Sequence, residues 1–150
     1  MDYTALKAEL TTDPKSLGYS PLLTATNDAG CAALLNATTG NGAATVNLPS
    51  LTHDQFALMI APVVMALGSA TTALQAKWTP MLQMLGGVQT VMLNATVTGL
   101  INALSADFPA QLPASAITAA TTKMGSRAEV LFGVGTVIQW TDIAKAMGRL

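Results

Sequence analysis

His53 is the only histidine in the chain, and it sits beside Asp54, the pair of residue types from which a general base is built. Adjacent residues on a helix point about 100° apart and do not converge on one site. His53 is therefore expected as an exposed or capping residue. Cys31, the only cysteine, lies in Gly30-Cys31-Ala32-Ala33 with no base to activate it. It reads as a small buried hydrophobe, and its being single excludes an internal disulfide. No Cys-x-x-Cys, His-Glu-x-x-His or Gly-x-x-x-x-Gly-Lys pattern occurs. Gly40-Asn41-Gly42 and Gly133-Val134-Gly135 are bare Gly-x-Gly pairs. Neither follows a strong strand or opens a long helix, so phosphate binding has no basis. The eight carboxylates are spread along the chain with no close acidic pair on one helix face. No catalytic, cofactor-binding or metal-ligating residue is expected, and the chain is not expected to be an enzyme.

What survives is a pattern suited to contact rather than reaction. Thr90, Asn94, Thr98 and Asn102 recur at intervals of four beside an apolar stripe of Leu93, Val97, Leu100, Ile101 and Leu104. On a helix they form a polar face without charge. Solvated helix faces carry Lys and Glu, whereas an uncharged polar face avoids the cost of desolvating an ion at an interface. Thr90, Asn94, Thr98 and Asn102 are therefore candidate subunit-contact residues. Trp78 and Trp140 read as core or interface anchors, and Trp140 joins the candidate contact set.

Composition points the same way. Charged residues make up 10% of the 150, against roughly 25% in an average soluble domain, and the net charge is −1. A small protein so near neutrality tends to associate. Seven scattered Lys and Arg form no basic face, so nucleic-acid binding is not expected. From Gln55 to Ala106 the only charged side chain is Lys77. A membrane span needs about 20 apolar residues. Phe56 to Leu67 is too short and contains Pro62, Leu74 to Leu85 contains Lys77, and Val88 to Leu104 carries Asn94 and Asn102. Membrane insertion, as in a holin-like pore former, is thus the lesser alternative. A small helical ligand-binding protein is a further one, though no convergent polar set defines its pocket. No basic, apolar leader opens the chain, so no signal peptide is expected.

The elements follow from periodicity and caps. Tyr3, Leu6 and Leu10 align on a helix over Asp2 to Leu10, with Lys7 and Glu9 off that face, and Asp13-Pro14 ends it. Pro14 to Pro21 reads as a loop. Asn27 or Thr26 caps a helix from Asp28 to Asn36. Thr52-His53-Asp54-Gln55 is a capping box, with Leu51 placed to staple onto Phe56. It opens a helix that is apolar all round, expected at the centre of a bundle or in a membrane, bent by Pro62 and closed by Gly68. Thr71 or Thr72 starts the next helix, Gly86-Gly87 stops it, and Val88 to Leu104 predicts another. Ser115 to Met124 predicts a short helix. Ser126-Arg127-Ala128-Glu129 is a second capping box, and Thr141 is expected to cap a last helix from Asp142 to Gly148. The resulting fold class is mainly α. One domain over 1–150 is expected, a compact bundle of about five to seven short helices. It has a hydrophobic core segment at 51–106, a small-residue loop around 38–50, and at most one short extended piece near 136–139.

The two ends of the chain carry a resemblance. Tyr3-Thr-Ala-Leu-Lys-Ala-Glu-Leu-Thr-Thr-Asp13-Pro14, then Gly18-Tyr19, Asn27-Asp28 and Leu35-Asn36, is similar to the opening of a family of small tailed-bacteriophage virion proteins. Ser126-Arg127-Ala128-Glu129-Val-Leu-Phe-Gly-Val-Gly135-Thr136-Val137, followed by Asp142-Ile143-Ala144, resembles that family's close. The terminal segments 1–37 and 125–150 carry the likeness, and the apolar middle does not. The resemblance implies a virion component of the tail, neck or baseplate, assembled in the bacterial host cytoplasm. Its partners would be other virion proteins and copies of itself, and no cofactor is implied.

Overall fold

The computed structural model describes all residues, 1–150. In chain order the elements begin α1 (Tyr3–Thr12), α2 (Tyr19–Thr24), α3 (Asp28–Asn36), β1 (Ala44–Asn47), β2 (Ser50–Thr52), α4 (His53–Leu67) and α5 (Thr72–Gly86). They continue with β3 (Thr90–Met92), α6 (Ala95–Asp107), α7 (Ala114–Thr121), β4 (Thr122–Gly125), α8 (Arg127–Phe132) and α9 (Trp140–Ala146). The fold is mainly α, with nine helices where the sequence suggested fewer. The strands form two small sheets, β1 with β4 and β2 with β3.

Where the sequence predicted one domain with one core, the chain divides into two compact units. Met1–Val46 with Met124–Leu150 form the first, and Asn47–Lys123 the second. The boundaries fall within β1 and β4. Each unit has its own apolar core, which is the physical reason for the division.

The first unit gathers α1, α2, α3, α8 and α9 around Leu6, Leu10, Tyr19, Cys31, Leu35, Ile138 and Ile143. Asp2 caps α1 through the amides of Thr4 and Ala5. Asp13 ends it in the left-handed region at φ 42°. Its carboxylate then accepts from the amides of Leu17, at 2.7 Å, and Gly18, at 2.8 Å. One side chain thereby fixes the backbone that follows the helix, and Gly18 at φ 88° lets α2 begin at Tyr19. The expected loop from Pro14 to Pro21 is thus shorter, because Pro21 is tolerated in the first turn of a helix, where its missing N–H has no partner to lose. Asn27 caps α3 through Gly30 N. At the chain's close, Gln139 rather than Thr141 is the cap of α9, exchanging bonds with Asp142.

The extended piece expected at 136–139 is not a strand. Its pairing partner is a side chain: Asn36 Nδ2 donates to the Ile138 carbonyl at 2.8 Å, and Ile138 N donates to Asn36 Oδ1 at 2.9 Å. One carboxamide reproduces one rung of a ladder and no more.

In the second unit the Thr52 capping box forms as its spacing requires, with Gln55 Oε1 accepting from Thr52 N at 2.9 Å. Leu51 and Phe56 are both buried in its core, with Ile60, Val63, Trp78, Val91, Ile101 and Leu104. β2 and β3 pair antiparallel, with Leu51 opposite Val91. That pairing overturns the helix expected from Val88 to Leu104. The segment 90–92 is drawn into a ladder, and α6 starts only at Ala95, with Asn94 as its cap. Likewise the helix expected over 115–124 ends at Thr121, where β4 takes over.

Candidate subunit-contact surfaces

The candidate contact residues do not share one helix. Thr90 lies in β3, Asn94 uses its side chain to cap α6 through Val97 N at 2.9 Å, and only Thr98 and Asn102 stand on the exposed face of α6. All four are exposed to solvent. Thr98 also edges a pocket of about 210 Å³ floored by Leu93, Ile101 and Ile117. Trp140, on the first unit, stands at the start of α9 and is 54% exposed, and nearby Val137 is also exposed. Trp78 does the opposite. It is buried, and its indole N–H donates to Asp107 Oδ2 at 2.7 Å. Lys77 reaches the same oxygen at 2.6 Å and lies 4.8 Å from the Trp78 ring centroid. Those two donors hold the Asp107 carboxyl below the usual aspartate range, Lys77 contributing most.

Another exposed apolar feature lies on α4. α4 buries Phe56, Met59, Ile60, Val63 and Leu67, a face that the periodicity anticipates. A helix at the centre of a bundle would have its opposite side covered too. Instead Leu58 is 79% and Met65 82% exposed, with Ala61 and Pro62 open between them. At about 100° per residue these four occupy one arc directly across from the buried face. The signal in the sequence was the helix's lack of any polar side. Burial on one face only leaves the other bare, which makes it a candidate contact surface. Beside it runs a groove of about 680 Å³ between α4 and α7. Its walls include Leu58, Met59 and Pro62 on one side and Ala116, Ala119 and Ala120 on the other. Alanines on α7 keep that wall low.

The residues with chemical potential stay apart. His53 is half-buried with Nδ1 3.3 Å from the Val88 carbonyl oxygen, on the rim of an open pocket of about 390 Å³. Cys31 is buried, and loss of solvation pushes its thiol pKa up, away from the reactive thiolate. No cluster of His, Cys, Asp and Glu is suited to holding a metal ion. No helix is long and apolar enough to cross a membrane.

The titratable group that sequence reasoning misplaced is Glu9. Periodicity sets it off the apolar face of α1, yet it is 5% exposed. Arg127 grips it with two parallel bonds, Nε to Oε1 at 2.8 Å and Nη2 to Oε2 at 2.7 Å. This pairing raises the Arg127 pKa further, chiefly through the side-chain hydrogen bonds to Glu9. The neighbouring Tyr19 hydroxyl is buried without a protein hydrogen-bond partner. Desolvation, then the Glu9 and Asp13 carboxylates, push its pKa up and keep it neutral. The cluster joins α1 to α8 and so holds the first unit together.

Comparison with family models, curated proteins and solved structures finds no match to this chain.

Proposed function

We propose that the chain is a structural component of a tailed-bacteriophage virion, working by subunit–subunit assembly in the tail, neck or baseplate. Its partners are other virion proteins and copies of itself. The observation that carries this reading is the charge-free apolar ridge of α4, exposed where a lone soluble domain would carry Lys and Glu. The terminal resemblance supports it. The two phage-like segments, distant in sequence, both belong to the first unit and share its core. Function then resides in buried contact area, on the order of 1,000 Å² or more per specific interface.

Thr98→Lys tests the reading at the candidate contact face. Thr98 is exposed in the subunit, so the added ammonium leaves folding intact. At an interface the same charge must be desolvated without a partner. The expected outcome is an unchanged melting temperature with reduced occupancy in purified particles. Normal occupancy of the variant would remove Thr98 and Asn102 from the contact face.

A further inference from the structure

We propose that Asn41 is a site of spontaneous covalent modification: its carboxamide is lost by deamidation through a ring closed by the Gly42 amide, and the isoaspartate product loosens the first unit.

The chain has six asparagines, at 27, 36, 41, 47, 94 and 102. Asparagine is a thermolabile side chain, and its deamidation needs a free carboxamide next to a backbone amide that is free to attack it. Five of the six are denied one or the other. Asn27 Oδ1 accepts from Gly30 N at 2.9 Å, and Asn94 Oδ1 from Val97 N at 2.9 Å. The carboxamide of Asn36 is held at both ends by the Ile138 backbone. Asn47 precedes Leu48, whose amide donates to the Thr121 carbonyl at 2.8 Å. Asn102 lies inside α6, where the amide that follows it is bonded one turn back.

Asn41 is under neither restraint. It is exposed in the turn Gly40-Asn41-Gly42-Ala43, and its carboxamide bonds to no protein group. Ala43 N closes the turn on the Gly40 carbonyl at 3.2 Å, a bond that spans the Gly42 amide without engaging it. Glycine also has no Cβ to hinder the approach of its nitrogen.

The chemistry needs only water. The Gly42 nitrogen gives up its proton to hydroxide and attacks Asn41 Cγ. The new N–Cγ bond forms as the Cγ–Nδ2 bond breaks, and Nδ2 leaves with the electron pair and a proton as ammonia. The product is a five-membered succinimide. Water then opens it at either carbonyl carbon. Opening at Cγ gives aspartate with the original main chain. Opening at the backbone carbon gives isoaspartate, whose main chain runs through Cβ and Cγ and is one atom longer. Either product makes the net charge one unit more negative than −1.

The longer chain has no room where it arrives. Gly42 is buried, and a Cβ built on it would lie 2.9 Å from Leu17 Cδ1 and 3.1 Å from Arg127 Cβ. Isoaspartate inserts its extra atom immediately before that packed position, and Arg127 is the residue that grips Glu9. The aspartate product leaves the backbone as it was. The same packing restrains Gly42 and makes the folded chain react more slowly than the unfolded one.

The test is to hold the intact chain in warm, mildly alkaline buffer and follow each asparagine by tandem mass spectrometry, with electron-based fragmentation to tell isoaspartate from aspartate. A parallel sample is unfolded in urea. In the folded chain, position 41 should gain one mass unit ahead of the other five, at a rate that rises in proportion to hydroxide. Asn41→Gln should show no conversion there, since its extra methylene disfavours the ring. The aged wild type should melt at a lower temperature, whereas Asn41→Asp, with the same charge and a normal backbone, should melt as the fresh protein does. Another asparagine converting first in the folded chain would overturn the site. So would an unchanged position 41 in the folded chain by the time the unfolded chain has converted fully. A melting temperature lowered as much in Asn41→Asp as in the aged protein would overturn the isoaspartate mechanism of loosening.

Discussion

Glu9 and Arg127 illustrate what one charged pair does inside a nearly uncharged chain. The two residues are 118 positions apart, and their bidentate contact closes the first unit across the whole sequence that separates them. Removing one partner leaves the other buried and unpaired. Glu9→Gln or Arg127→Met should therefore lower unfolding free energy by about 3 kcal/mol, while the double substitution Glu9→Gln/Arg127→Met should cost less than the sum. Urea denaturation of the wild type and the three variants checks this double-mutant cycle. At this scale the caps were legible from local spacing alone: Thr52 with Gln55, Ser126 with Glu129, and Asn27 all act as their residue types dictate. Glu9 was not. A carboxylate is buried only when a partner meets it, and no local pattern announces a partner so far along the chain. Asn36 was missed for the same reason, its carboxamide serving the backbone of Ile138.

At the scale of elements, Asp107 ties the end of α6 to α5 through Lys77 and the Trp78 indole. Its lowered pKa in the folded state carries a definite sign. Above about pH 4, where aspartate in the unfolded chain is ionised, the stabilisation from these bonds is fully present. It is lost as pH falls through the still lower native value. Asp107→Asn should thus destabilise the protein at neutral pH and flatten the acid limb of its stability curve; thermal melts between about pH 2 and pH 7 give the comparison. Helix identity was well encoded wherever periodicity and caps agreed, as in α3 and α4. The exceptions share a cause. Thr90–Met92 reads as part of a helix from its own neighbours, yet the partner that makes it a strand is Ser50–Thr52. Long-range pairing overrode local preference there. The candidate contact stripe was broken by the same event, because Thr90 and Asn94 left the helix on which the interval of four depended.

For the whole molecule, the terminal segments read as family-like, 1–37 and 125–150, both fall within the first unit. The resembling ends belong to one unit, and the unaligned apolar middle is the other, inserted between Val46 and Met124. Within the first unit the cut ends already touch: a Cβ built on Gly125 would lie 2.7 Å from Val46 Cγ2, an approach that only glycine allows. Replacing 47–123 by a short Asn-Gly turn should therefore leave a folded first unit, with cooperative unfolding and the near-ultraviolet signal of a packed Tyr19. A molten product would mean that the first core depends on the second unit. Composition pointed to association and periodicity to a mainly α fold, but neither reveals how a chain divides into cores, since that depends on which distant apolar residues meet. The central claim is that this subunit exists to be assembled into a virion. Mass spectrometry of density-purified phage particles from a lysate of the encoding strain tests it most directly. The account predicts peptides from both units at a stoichiometry comparable to known structural proteins; particles free of the chain, with all of it left in the soluble fraction, would contradict it.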